Sequence, residues 1–426
     1  MTMKLLPTLR SVFLCAAVAA FAASSVPLPV QAQQQQRGKP ARPAAKPAPA
    51  PQTQKKEPPA EPMMPSQIGV ETFAKQAYLV DATTGTVLLA KDADQQMLPS
   101  SMAKMMTIYL LWEEMKAGRV RLDTEFRASE RAWRLQGSKM FVAIDSMVAV
   151  KDLIPGIIVH SGNDATVVVA EGISGSEDAF AERMTKRGRE IGMTDTVFKN
   201  ASGWPAEGQH TTAHDLAILA KRTIEDFPDY YKRYYAETAF KYQNYDTQYN
   251  RNPLLGRVSG ADGLKTGHTE EAGYGLTASV QRGERRVVLV VNGLASMRQR
   301  QQETERLVEW AFREFNNLTA FKAGEIVGSA QVWMGQQASV PLTVEKNVVM
   351  TLPRTAKATM KAGIVYDGPV QAPIAKGQRI GKVVVVPAEN AGTIEVPLVA
   401  AAAVEKLGFM GRIVAAMKYY LLGSAG

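Results

Sequence analysis

The apolar positions of the chain predict two β-hairpins. Near Val70, where we expect the fold to begin, residues 77–81 and 86–90 form two short apolar runs around a Thr-Thr-Gly turn. Residues 274–280 and 286–291 show the same pattern around an Arg-Gly turn. Each hairpin should contribute two antiparallel strands to a sheet.

Apolar residues at helical spacing predict helices between and after these hairpins. Residues 102–115 are densely apolar, which indicates a largely buried helix. Residues 176–191 begin at a serine cap and end before a glycine, and Thr212 opens a third helix in a pattern like a capping box. A fourth helix passes through Leu307. Because strands and helices do not alternate regularly, we expect an α+β fold in which helices flank an antiparallel sheet.

Past Phe321 the pattern changes to short apolar strands separated by glycine and proline turns. Such strands are predicted at residues 348–350, 383–386 and 394–399. We therefore expect a small all-β domain over residues 319–400, about 80 residues and within the usual size range of domains.

The end of the chain, residues 402–422, can form an amphipathic helix. Glu405, Arg412 and Lys418 lie around its polar side. Its broad apolar face comprises Leu407, Met410, Ile413, Val414, Met417, Tyr420 and Leu421. A helix of this kind at a chain end favours binding at the membrane interface, and the alternative is a helix that packs on its own protein.

The first 32 residues have the pattern of a secretory signal. A short basic region precedes an apolar stretch at residues 11–23, and Val30-Gln31-Ala32 is a small-residue cleavage pattern. The only cysteine, Cys15, lies inside this segment, and Leu14 before it argues against a lipoprotein. We expect an exported protein that is stabilised by its core and contains no disulfide.

The segment after this signal, residues 33–66, is rich in Pro, Ala, Gln and Lys and predicts a disordered tether. The chain has a net charge of +9, much of it in this tether. For an exported protein a basic balance favours an anionic envelope or membrane surface over nucleic acid; the alternative is that the charges only keep a linker soluble.

Three short motifs follow one another along the chain: Ser101-Met102-Ala103-Lys104, Ser161-Gly162-Asn163 and Lys265-Thr266-Gly267. Each of the first two would occur by chance about once in a chain of this length. The set in this order is specific, because it is the combination found in penicillin-recognising serine enzymes.

The spacing of the first motif suits nucleophilic catalysis. Residues three apart on a helix face the same way, so Lys104 can reach Ser101 and remove its proton. Lys104 must be neutral to do so, and burial or a second cation, for which Lys265 is the candidate, would lower its pKa. The positive end of the helix would favour the negative charge that develops during acyl transfer.

The other two motifs can hold a substrate. We expect Lys265 on a strand that borders the cleft, with Gly267 allowing close approach of a substrate backbone and Thr266 offering a hydroxyl to a carboxylate. Ser161 can relay a proton and Asn163 can hold an amide. The structural alternatives are a helix-capping serine and an ordinary lysine at the edge of a strand.

From about residue 70 to 315 the chain resembles the low-molecular-mass penicillin-binding proteins that are D-alanyl-D-alanine carboxypeptidases. The stretches that carry this resemblance are residues 99–107, 160–165, 250–252 and 262–269. The small β domain and the terminal helix resemble the second domain and the membrane anchor of that family. The resemblance implies a penicillin-binding/β-lactamase-like fold; the Pro-rich tether departs from the family pattern.

The resemblance implies a role for each motif residue. Ser101 would be the nucleophile, Lys104 its base, and Ser161 and Asn163 the second catalytic motif. Substrate would be bound by Lys265, Thr266, Gly267, His268 and Arg300, with Arg298 a near alternative to Arg300. Backbone N–H groups of Ser101 and His268 would form the oxyanion hole.

The implied reaction removes the terminal D-Ala from the peptidoglycan pentapeptide through an acyl-enzyme, and β-lactams should acylate the same serine. We expect no cofactor and no metal, because His210 and His214 lack the intervening glutamate of the metalloprotease motif. The enzyme would act at the periplasmic face of the inner membrane. The predicted regions are the signal (1–32), the tether (33–66), the catalytic domain (67–318), the β domain (319–400) and the anchoring helix (401–426).

Two other functions are compatible with parts of the sequence. A class A-like β-lactamase has the same three motifs, but it uses a glutamate for deacylation, and no Glu-x-x-Leu-Asn pattern lies between Asn163 and Lys265. Its second motif is also Ser-Asp-Asn rather than Ser-Gly-Asn. The other alternative is a non-catalytic envelope scaffold, against which the intact motifs argue.

Overall fold

The computed structural model describes residues 69–355, 361–386 and 393–422, and side chains of the last helix as far as Met417. The predicted signal and tether lie outside these residues.

The first part of the fold is an antiparallel sheet with helices on both faces. Its strands and hairpins are β1 (Gln76–Asp81), β2 (Val87–Lys91), β3 (Glu125–Arg127), β4 (Met147–Ala149), β5 (Ala239–Phe240), β6 (Gln248–Tyr249), β7 (Ala261–Thr269), β8 (Gly273–Arg282) and β9 (Arg285–Leu294). Its helices are α1 (Lys104–Lys116), α2 (Glu130–Arg134), α3 (Val150–Ile158), α4 (Asn163–Ser174), α5 (Glu177–Ile191), α6 (Ala213–Asp226), α7 (Pro228–Tyr234) and α8 (Met297–Glu314). The main sheet has the order β2-β1-β9-β8-β7, so β7 is an edge strand.

The alternation of side chains along β9 explains why both faces of the sheet are covered. Val288 and Val290 join the core formed with α1, α4 and α6, whereas Val287, Leu289 and Val291 join the core formed with α8. Successive residues of a strand point to opposite faces, so a continuous apolar run requires burial on both sides. The predicted α+β fold is confirmed.

The predicted helix boundaries follow from their caps. The Ser176 hydroxyl accepts from the N–H of Ala179 at 3.2 Å, and Gly192 ends that helix with a φ of 107°. The Thr212 hydroxyl accepts from the N–H of Asp215 at 3.0 Å. Side-chain oxygens here satisfy N–H groups that lack partners inside the helix.

The second part of the fold is rich in β-structure, as predicted. Its elements are β10 (Phe315–Phe321), β11 (Ile326–Trp333), β12 (Ser339–Thr343), β13 (Val348–Pro353), β14 (Lys361–Tyr366), β15 (Val370–Gln371), β16 (Arg379–Val386), β17 (Ile394–Ala400) and the helix α9 (Phe409–Leu422). Strand β10 passes from one core to the other, since Phe315 packs beneath α8 whereas Phe321 packs in the β-rich core.

The last helix begins later than predicted. We expected helix from Ala402, but α9 starts at Phe409. The preceding residues are extended: the N–H of Leu407 donates to the carbonyl of Met334, and the carbonyl of Glu405 accepts from the N–H of Gln336. These tertiary hydrogen bonds override the helical pattern. Within the described range, no helix is both long enough and apolar enough to span a bilayer.

Candidate active site

Ser101 lies in a tight turn that leads directly into α1. Residues Ser100–Ala103 form a 3₁₀ turn, and Lys104 is the first residue of the α-helix, two residues later than the predicted start. Because a 3₁₀ turn repeats every three residues, Ser101 and Lys104 lie on the same side of it. The Lys104 ammonium donates to Ser101 Oγ at 2.9 Å.

Lys104 is a buried lysine with two hydrogen-bond acceptors. Its side chain has no exposed surface, and besides Ser101 its Nζ contacts the carbonyl oxygen of Ser202 at 2.6 Å. Burial, and then the charge of Arg251, lowers the pKa of Lys104 to about 7. About half of the lysines with this pKa are neutral at pH 7, so Lys104 can accept the proton of Ser101.

The second motif occupies a strained turn before α4. Ser161 is buried and has a φ of 59°, which is uncommon for a residue other than glycine. Gly162, and not Ser161, is the N-cap of α4, so the structural alternative of a capping serine is not observed. Asn163 binds a neighbouring loop, since its N–H donates to the Ser138 carbonyl and its side-chain amide to the Gln136 carbonyl, both at 2.7 Å.

The third motif lies on the edge strand β7, beside the turn that contains Ser101. Lys265 and Thr266 are 3% and 7% exposed, and burial together with the charge of Lys104 holds the pKa of Lys265 well below its usual value. A Cβ on Gly267 would lie 2.2 Å from the hydroxyl of Ser100, so a larger residue here would require Ser100 or the strand to move. His268 is exposed and its ring stacks on Tyr274.

Arg300 reaches the site from α8, whereas Arg298 is exposed. The guanidinium of Arg300 donates to the carbonyls of Gly275 at 3.4 Å and Arg251 at 3.2 Å. Burial lowers its pKa to about 10. Gly275 pairs with Gly267 across β8 and β7, so the Arg300 guanidinium lies close to the strand of the third motif. Its charge also contributes to the lowered pKa of Lys265.

The sequence interpretation assigned no role to two residues that shape this site. Arg251 lies in the loop after β6; its guanidinium donates to the Ser138 hydroxyl at 2.7 Å, and its charge lowers the pKa values of Lys104 and Lys265. The sequence predicts that burial or the charge of Lys265 lowers the pKa of Lys104; the structure shows the burial, adds the charge of Arg251, and places Lys104 and Lys265 close enough for their charges to repel. A single arginine in a loop belongs to no periodic pattern, so the sequence could point to Arg251 only through the family resemblance of residues 250–252.

Asp164 is the other residue. It is fully buried, and its carboxylate accepts from the backbone N–H groups of Met140 at 2.9 Å, Phe141 at 2.8 Å and Val142 at 3.2 Å. Asn163 therefore binds the loop at residues 136–138, and the adjacent Asp164 binds its continuation at residues 140–142. The available signal in the sequence is an acidic residue directly before the apolar run at residues 165–170.

The two histidines considered as metal ligands make other contacts. The His210 backbone pairs with Val197, and the His214 ring contacts Asp94 at 2.9 Å. No group of three or more His, Cys, Asp or Glu side chains suited to a metal ion occurs among the residues that the structure describes.

The first and third motifs thus meet beside one serine, with a deprotonatable lysine at hydrogen-bond distance. Arg251 acts on that lysine and also binds the loop that holds Asn163 of the second motif. This arrangement defines a serine acyl-transfer site of the class that recognises penicillin.

Comparison with known proteins identifies the family. Residues 61–296 match the peptidase S11 model, D-alanyl-D-alanine carboxypeptidase, and residues 315–406 match the C-terminal domain of penicillin-binding protein 5. The chain therefore belongs to the D-alanyl-D-alanine carboxypeptidase family, as its sequence predicted, and is a penicillin-binding serine peptidase.

Curated relatives and solved structures agree with this family. D-alanyl-D-alanine carboxypeptidase DacF of Bacillus subtilis is 34% identical over 79% of this chain and 87% of its own length. DacA of Escherichia coli is 36% identical over 74% of this chain and 80% of its own. The crystal structure of penicillin binding protein 5 from Haemophilus influenzae superposes with a TM-score of 0.73 at 35% identity, covering 79% of this chain and 99% of that one.

Proposed function

We propose that Ser101 is the nucleophile that removes the terminal D-Ala from a peptidoglycan pentapeptide. The observation that carries this proposal is the 2.9 Å contact between Ser101 Oγ and a lysine whose pKa is about 7. Ser101 Oγ gives its proton to Lys104 and forms a bond to the carbonyl carbon of the D-Ala-D-Ala amide. The backbone N–H groups of Ser101 and His268 stabilise the oxyanion.

The acyl-enzyme then forms and breaks down. The C–N bond breaks, Ser161 relays a proton to the leaving amine, and D-Ala departs. Water, deprotonated by Lys104, attacks the ester and restores the Ser101 hydroxyl. Asn163 holds an amide of the acyl part, and the cations Lys265 and Arg300, with the Thr266 hydroxyl, bind the carboxylate of the leaving D-Ala.

Release of D-Ala tests this mechanism. The wild-type protein should release D-Ala from an acylated D-Ala-D-Ala peptide, and Ser101→Ala should lose at least about 10³-fold in kcat/KM. Ser100→Ala is the matched control, because the Ser100 side chain is buried beside the site but does not contact Lys104 Nζ. Equal turnover by wild type and Ser101→Ala would overturn the assignment.

We also propose that the protein is exported to the periplasm and held on the inner-membrane surface by α9. The support is the exposed apolar face of that helix, on which Phe409 and Met410 are more than 70% exposed and Val414 and Met417 more than 50%. An exposed apolar patch on a helix that does not span the bilayer favours interfacial binding.

Vesicle binding tests the anchoring. The mature chain should float with phosphatidylglycerol-phosphatidylethanolamine vesicles, and the double variant Met410→Glu, Met417→Glu should not. Ile326→Glu, which replaces a 54% exposed residue of β11, is the control and should still bind. Flotation of the double variant at the level of the control would contradict the proposal.

A further inference from the structure

Trp204 lies directly after the segment that binds the catalytic lysine. The carbonyl of Ala201 accepts from the Thr107 hydroxyl and the carbonyl of Ser202 from Lys104 Nζ, both at 2.6 Å. Gly203 has a φ of 78°, and a Cβ there would lie 1.7 Å from the Ser100 carbonyl oxygen. The backbone that leads into Trp204 is therefore packed tightly against the turn of the nucleophile.

The main chain of Trp204 is fixed without any use of its indole. Its N–H donates to the Ser202 hydroxyl at 3.1 Å. Its carbonyl accepts from the side-chain amides of Asn200 at 2.8 Å and Gln209 at 2.7 Å. The residue nevertheless remains 45% exposed, so neither core packing nor capping explains a tryptophan at this position.

The indole and the Asn163 amide both lie against Gly137. A Cβ on Gly137 would lie 2.6 Å from Trp204 Cζ3 and 2.7 Å from Asn163 Nδ2, so any larger residue there would clash with both groups. The indole and the amide are therefore neighbours on either side of one glycine. If Asn163 holds an amide of the acyl part, the substituent attached to that amide must lie beside Asn163, next to the indole.

We propose that Trp204 is a specificity-determining residue whose indole packs against the side chain of the acyl group, either the residue before D-Ala-D-Ala or the aromatic side chain of a penicillin. This proposal rests on the proposed function, because it uses acylation of Ser101. Indole offers a large apolar surface that contacts aromatic rings and aliphatic chains alike.

Two β-lactams that differ in the group on the 6-amino nitrogen separate this contact from the reaction. Benzylpenicillin carries a phenylacetyl amide there, and 6-aminopenicillanic acid has a free amine. Trp204→Ala should lower the ratio of their second-order acylation rate constants by about tenfold, chiefly through benzylpenicillin, and Trp204→Phe should restore most of it. Acylation by 6-aminopenicillanic acid also shows that each variant is folded.

Trp133→Ala is the matched control, since Trp133 is 44% exposed and lies on α2, and its ratio should equal that of wild type. A proportional loss with both compounds in Trp204→Ala, or an equal drop of the ratio in the control, would overturn the proposal. Failure of wild type to react with either compound would instead overturn the acyl-enzyme mechanism, and this inference with it.

Discussion

At the scale of residues, catalysis depends on a lysine whose surroundings lower its pKa. Lys104 is fully buried and lies near Arg251, and both effects disfavour its charged form. Asp164 and Glu177 oppose them, but the pKa still falls from 10.5 to about 7.

The pH dependence of acylation follows from this pKa. Only neutral Lys104 accepts the Ser101 proton, so the acylation rate should rise about tenfold per pH unit below pH 7 and level off above it. Arg251→Ala removes a neighbouring positive charge and should move the midpoint to higher pH. Stopped-flow acylation between pH 5 and 9 measures both profiles; a flat wild-type profile would contradict the role of Lys104.

A second prediction concerns Asp164, whose carboxylate accepts several backbone N–H groups. Asp164→Asn places an NH₂ group against these donors and should lower the free energy of unfolding by about 2–3 kcal/mol. Urea denaturation measures this change. The exposed Asp246→Asn is the control and should change it by less than about 0.5 kcal/mol; similar values for the two variants would show that the carboxylate does not hold the loop.

Short motifs made most of the site predictable, whereas residues identified only by tertiary contact were missed. Ser101 and Lys104 are three apart in sequence, so their contact follows from local geometry. Arg251 is far from both in sequence, and its proximity depends on how its loop packs. The resemblance pointed to Arg300 and left Arg298 as a near alternative, and α8 shows that Arg300 is the buried one.

At the scale of elements, the site depends on the close approach of β7 to the turn of Ser101. Apolar runs around short turns predicted the hairpins, and helical spacing with caps predicted the main helices, because these signals are local. The start of α9 was predicted wrongly, since backbone bonds from Glu405 and Leu407 to residues 334–336 compete with helix formation.

The close approach of β7 to the Ser101 turn predicts that a side chain at Gly267 will impair the enzyme. Gly267→Ala should slow acylation at least about tenfold, because its methyl group meets the Ser100 hydroxyl and moves the strand. Adding Ser100→Ala removes this oxygen and should restore part of the rate. Gly363→Ala, where a Cβ meets open space, is the control. A normal rate in the single variant would contradict the close packing.

At the scale of the whole molecule, one buried arginine links the two parts of the fold. Arg285 donates to the Asp81 carboxylate and to the Phe315 carbonyl, both at 2.7 Å, and Asp81 has no exposed surface. Phe315 begins β10, so this arginine ties the first strand of the catalytic sheet to the start of the β-rich part. No sequence pattern indicates a contact between residues 204 positions apart.

Loss of this arginine should destabilise the protein strongly. Arg285→Ala leaves the buried Asp81 carboxylate without a cation, although it still accepts from the backbone N–H groups of residues 83–84. Loss of the countercharge should lower the free energy of unfolding by about 3–5 kcal/mol. Lys382→Ala breaks the exposed pair with Glu395 and should cost no more than about 1 kcal/mol. Guanidinium denaturation of both variants makes the comparison, and equal losses would show that Arg285 is not a structural link.

The most direct test of the account is to locate the covalent bond to penicillin. The mature protein is treated with benzylpenicillin, and intact-mass measurement is followed by sequencing of the labelled peptide. We predict the addition of one penicillin, attached to Ser101 and absent from Ser101→Ala. Attachment to Ser100 or to any other residue, or no adduct together with no consumption of the penicillin, would contradict the acyl-enzyme assigned to this site.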